Sequence, residues 1–115
     1  MPTIVHSAGV SESMLEQFTD FFRLLSDKTR LNILMILRDG EKNVTALCER
    51  LNLPQPTVSH HLGLLRTNSL IGNRRAGKQV FYALSNRFHP AGDGVLNFRA
   101  EAFTVRLDPK MRESN

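Results

Sequence analysis

The chain has 115 residues, 41% of them hydrophobic, with a formal net charge of +4 and a pI near 9.8. That length supports one core and not two independent ones, and no apolar run approaches the roughly 18 residues that cross a bilayer. The single cysteine, Cys48, excludes an intrachain disulfide.

The opening stretch MPTIVHSAGVSES has neither the basic start nor the apolar centre of a secretory signal, so a cytoplasmic protein is expected. Charge is unevenly placed. Residues 1–49 are acidic on balance, through Glu12, Glu16, Asp20, Asp27, Asp39, Glu41 and Glu49. From Arg50 to Gly92 there is no Asp or Glu, yet Arg50, Arg66, Arg74, Arg75, Lys78 and Arg87 lie there. The expectation is a positive surface with no local neutralisation, suited to a polyanion.

Residues 1–10 read as a flexible N-terminal arm that holds His6. Ser11 is a candidate N-cap. Behind it Met14, Phe18, Phe21 and Leu25 recur at helical spacing, with Leu15 and Phe22 alongside. This aromatic stripe is too rich for a protein of this size to bury alone. A homodimer interface of Met14, Leu15, Phe18, Phe21 and Phe22 is expected.

Asp27 can cap a second helix carrying Leu31, Leu34, Met35 and Leu37, which Asp39-Gly40 ends. Asn43 can cap a short third helix through Val44, Leu47, Cys48 and Leu51. There Cys48 falls on the inward side and reads as a buried small hydrophobe. After the Asn52-Leu53-Pro54 turn, a fourth helix is expected over about Gln55–Thr67. Pro54 and Pro56 sit where missing N–H groups do no harm, and Val58, Leu62 and Leu65 form the buried stripe.

The period then changes. LIGNRR (70–75) and QVFYAL (79–84) read as strands of a hairpin turning at 76–78. Residues 89–94, HPAGDG, are rich in breakers. In 95–107 the alternation of Phe103, Val105 and Leu107 against Thr104 and Arg106 favours a strand, although the Ala-Glu-Ala centre could be helical.

The expected fold is therefore mainly α with a β-hairpin wing, a winged helix-turn-helix over 11–88. A C-terminal extension over 89–115 associates with the dimer, as an extra strand instead of a last helix. In such a fold the second helix of the pair enters the major groove. Here it offers Gln55, Thr57, Ser59, His60 and His61, with Arg66 at its far end. Arg74, Arg75 and Lys78 surround the wing tip, beside Gln79, and can follow the phosphates.

The stretches LLSDKTRLNILMIL, LPQPTVSHHLGLLR and LIGNRRAGKQVFYALS resemble the ArsR/SmtB family of winged-helix repressors over residues 21–85. The resemblance implies that the helix at 55–67 reads DNA, that the hairpin is the wing, and that first and last helices build a dimer. It also implies metal-sensing sites to check. The family's Cys-x-Cys pair falls on Asn43 and Thr45, neither a thiolate. Its second site would begin at Asn86, Arg87, Phe88 and His89, but Pro90 and Gly92 interrupt a helix there. His60 and His61 are adjacent on a helix and cannot chelate one ion well.

No metal site and no cofactor are expected, and the inducer is not legible. No phosphate loop or acid–base pair suggests an enzyme. The function expected is a sequence-specific, double-stranded-DNA-binding repressor. The alternative is a winged-helix module that binds protein.

Overall fold

The computed structural model describes residues 9–109. Four α-helices open the described residues: α1 (Glu12–Leu25), α2 (Lys28–Leu37), α3 (Val44–Leu51) and α4 (Gln55–Thr67). The expected caps are in place. Ser11 Oγ accepts from Met14 N at 3.2 Å, Asp27 Oδ1 from Arg30 N at 3.1 Å and Asn43 Oδ1 from Ala46 N at 2.7 Å. Each satisfies a backbone donor that its helix leaves unpaired. Asn52 ends α3 in the left-handed conformation, φ 54°, which Asn tolerates better than most residues. The expected arm lies mostly outside the described residues, His6 with it.

Two three-stranded antiparallel sheets accompany the helices. The first, ordered β1-β3-β2, contains β1 (Lys42–Asn43), β2 (Ile71–Ala76) and β3 (Gln79–Leu84). Its hairpin register runs from Ile71 opposite Leu84 to Ala76 opposite Gln79. The turn is the two residues Gly77 and Lys78. Gly77 has φ +63°, the positive value that tight hairpin turns demand at their first central position. The short strand β1 was not expected. It pairs Lys42 with Tyr82 and Asn43 with Phe81.

The second sheet, ordered β4-β5-β6, is built from β4 (Phe88–Pro90), β5 (Leu96–Arg99) and β6 (Thr104–Leu107). The strand expectation for the tail holds, but as two strands, with the Ala-Glu-Ala centre in the bend between them. A third strand, β4, takes the start of what read as a turn. Residues 92–94 form a single 3-10 turn in which Asp93 has φ 59°.

One hydrophobic core joins everything. Ile33, Leu34, Leu47, Val58, Leu62, Leu65 and Leu96 are its most enclosed side chains. α2 runs through the centre and buries Ile33, Leu34, Ile36 and Leu37, a wider face than the expected one-sided stripe, as a helix covered on several sides requires. Val58, Leu62 and Leu65 of α4 are fully buried, as their spacing implied. Phe88, Leu96 and Phe98 belong to this core. The boundary expected at residue 88 thus falls inside β4.

The C-terminal sheet lies against α1. Phe21 stacks on Phe98 with centroids 4.4 Å apart. Phe103 meets Phe18 edge-on at 4.7 Å. Phe21 is therefore 7% exposed and is core of its own protomer rather than free interface. Leu15 at 36% and Phe22 at 53% remain open to solvent. Met14 and Phe18 are half-buried. Cys48 is also half-buried, packed against the core but not enclosed as expected.

Candidate nucleic-acid interface

α3 and α4 meet at the turn 52–54, and the buried stripe of α4 fixes which residues it shows to solvent. With Val58, Leu62 and Leu65 facing inward, Gln55, Thr57, Ser59 and His60 are exposed near the start of the helix and Arg66 near its end. These hydroxyl, amide and imidazole groups can bond base edges or phosphates.

His61 is a correction. It was expected on the DNA-reading surface, but its side chain is only 13% exposed and turns toward the start of α2. Arg30 Nη1 lies 3.3 Å from its Nδ1. Asp27 Oδ1 lies 4.0 Å away. Asp27 is itself held below the usual carboxylate range, first by the Arg30 backbone N–H it caps and also by His61 and the Arg30 side chain. This contact ties His61 of α4 to the start of α2. The neighbouring His60 points outward, as adjacent helical positions require.

The wing is exposed from Gly72 to Gln79. Its tip approaches the reading helix. Asn43, Thr45, Gln55, Lys78 and Gln79 line one cleft between the start of α3, the start of α4 and the hairpin turn. The expected residues Gln55, Lys78 and Gln79 are therefore brought together, while Arg75 and Arg66 lie outside this cleft. Gln79 is partly committed, because its Oε1 accepts from Asn43 Nδ2 at 2.9 Å.

Arg74, expected beside the wing tip as a phosphate contact, is paired within the protomer. Its Nε and Nη2 donate to Glu41 at 2.7 and 2.6 Å. Its guanidinium also lies 4.8 Å from the ring centre of Phe81. The hydrogen bond to Arg74 holds the Glu41 carboxyl below its usual range, and Glu41 raises Arg74 in turn. The basic stretch is therefore neutralised at one point, by an acid that lies before it in the chain.

Sequence reasoning missed Glu41, Asn43 and Thr45 as part of this surface. Asn43 was legible as a cap, and the start of a helix is where backbone N–H groups favour anions. Glu41 carried no local signal. Among the described residues no group of three or more His, Cys, Asp or Glu is placed to hold a metal ion. No helix there is long and apolar enough to cross a membrane.

Comparison with known proteins extends this picture. The family described as "Bacterial regulatory protein, arsR family" matches residues 27–71. The arsenic resistance transcriptional regulator ArsR1 of Pseudomonas putida is 41% identical over 89 residues, covering 76% of this chain and 70% of that protein. The arsenical resistance operon repressor of Escherichia coli is 46% identical over 65 residues. The chain spans little more than half of that relative, 56%. Among solved structures, the homodimeric winged helix-turn-helix DNA-binding domain Mb0332 of Mycobacterium bovis superposes with a TM-score of 0.58 at 28% identity, covering 64% of this chain and 68% of that one. With this match in sequence and this fold, the chain belongs to the arsR family of bacterial regulatory proteins.

Proposed function

We propose that this protein is a transcriptional repressor that binds double-stranded operator DNA as a homodimer. The observation that carries the reading is the convergence of the exposed start of α4 and the wing tip on one cleft, lined by Gln55, Lys78 and Gln79. In this reading Gln55, Thr57, Ser59 and His60 meet base edges, while Arg66, Arg75 and Lys78 meet phosphates. The relative from Escherichia coli, named as a repressor, supports the direction of control.

The homodimer rests on Leu15 and Phe22, which α1 leaves exposed, and on the homodimeric relative. Met14 and Phe18 flank them. The C-terminal sheet takes the place of a last helix beside α1 and contributes Phe103 and Val105 to the same apolar surface. Such a regulator works in the cytoplasm, where a bacterial chromosome lies, and has no catalytic step.

The test is fluorescence anisotropy of labelled duplex DNA over a salt series. Binding that weakens linearly in log–log form with salt, with one sequence preferred after selection from a random pool, is expected. Absence of duplex binding at low salt would refute the reading.

A further inference from the structure

Glu41 precedes β1, and Arg74 sits in β2, directly across from Phe81 of β3. Three constraints act on the one guanidinium. Glu41 takes Nε and Nη2, one of the two edges by which a guanidinium can grip a phosphate bidentately. Phe81 covers its face. The pairing of Asn43 with Phe81 fixes β1 beside the same hairpin.

We infer that Glu41 withholds Arg74 from DNA, so that Arg74 positions the wing rather than contacting phosphate, and the pair sharpens discrimination between specific and random duplex. This rests on the DNA-binding reading above. Arg74 and Glu41 side chains are 58% and 33% exposed, and ion pairs so open to solvent add little to fold stability. The consequence of the pair is therefore sought in where charge is presented. Arg75 and Lys78 have no ion pair among the described residues and stay available to phosphates. Arg74, three residues before the turn at Gly77, does not.

The wing is tied to the helices at a second point. Asn43 caps α3 through Oδ1 and donates from Nδ2 to Gln79. One strand of the hairpin is thus held through Arg74 and the other through Gln79, both from the segment that starts α3. Random-sequence binding is counted in phosphates neutralised. A wing with one charge withheld gives up part of that binding and keeps the geometry on which base reading depends.

The experiment uses two labelled probes: a random-sequence duplex and a duplex selected by the wild-type protein from a random pool. Affinities are measured from about 50 to 200 mM salt, the range over which phosphate contacts are well resolved. Glu41→Gln is expected to bind the random duplex about threefold more tightly near 0.1 M salt and to steepen its log–log salt slope by about 0.9, one phosphate contact. Its ratio of selected to random affinity should fall.

Arg74→Gln should leave the random-duplex slope unchanged, whereas Arg75→Gln should flatten it by about 0.9. The double variant Glu41→Gln/Arg74→Gln should return to the wild-type slope. A slope in Glu41→Gln equal to wild type overturns the inference. So does flattening in Arg74→Gln as large as in Arg75→Gln, which would mean that Arg74 already meets phosphate. Wild-type protein that binds neither probe overturns the DNA reading itself and is distinguished by that result.

Discussion

Phe21 of α1 and Phe98 of β5 stack with their ring planes 20° from parallel. The contact closes the C-terminal sheet onto the first helix. Phe103 adds edge contacts to both Phe18 and Phe21, and Phe88 packs on Phe98 at 4.9 Å. The aromatic residues that read as one stripe on α1 thus divide: Phe21 faces its own sheet, and Phe22 faces outward.

Phe98 is 3% exposed at the centre of this cluster. Phe98→Ala should cost about 3–5 kcal/mol, the range for truncating a buried aromatic side chain. Urea denaturation followed by circular dichroism measures it. A loss below about 1 kcal/mol would mean that the sheet does not share the core.

Phe22→Ser combined with Leu15→Ser should leave each protomer folded and separate the dimer. Both positions are exposed in the protomer, so little packing is lost within one chain. Light scattering at micromolar concentration reads the mass, and circular dichroism checks helix content. A double variant with a dimeric mass would move the interface elsewhere.

The Asp27 carboxyl titrates below its ordinary value of 3.8. A lowered folded-state pKa gives stability that is complete above the unfolded value and is lost as pH falls through the folded one. Asp27→Asn keeps a capping oxygen but removes the charge. Wild type should exceed Asp27→Asn in stability near neutral pH, and the gap should close below about pH 3.8, toward the lowered folded value. Asp27→Ala also loses the cap and should cost about 1 kcal/mol more. Urea midpoints across a pH series decide this, and a gap independent of pH would exclude a role for the charge.

Ser59→Ala should weaken binding to the selected duplex and relax its sequence preference, with a good base contact worth roughly 1–3 kcal/mol. Lys78→Gln should weaken selected and random duplex alike and flatten the salt slope. His61→Ala should instead lower thermal stability, because it loses the Arg30 contact. Competition titrations with mismatched duplexes separate these patterns. A His61→Ala variant of full stability and lost preference would return His61 to the reading surface.

Zinc, cadmium, copper and arsenite should leave the affinity for the selected duplex unchanged. Tight sites for these ions draw on about four N, S or O ligands, with thiolates preferred by the softer ones, and each chain supplies the one cysteine Cys48. A tenfold fall in affinity at stoichiometric metal would refute this and direct attention to His89 and Asp93.

Local rules carried much of this fold. Ser11, Asp27 and Asn43 each cap the helix their side chains promised, and Pro54 and Pro56 open α4 where a missing donor does no harm. The inward stripe Val58-Leu62-Leu65 and the hairpin turn at Gly77 follow from periods and backbone preferences within a few residues, so they are legible in the chain alone. The exposed polar start of α4 follows from the same stripe.

Other features are contacts between segments far apart in the chain. His61 turns inward because Arg30 and Asp27 wait at the start of α2. Arg74 is neutralised by Glu41 across the sheet that β1 completes. Phe21 is buried by Phe98, and Ile33 and Ile36 are buried because α2 is covered on more than one side. No local period encodes which distant side chain will arrive, since periodicity reports only which face of an element is apolar. Packing of the whole chain chooses the partner, and with it which basic and aromatic residues remain available to DNA or to a second copy.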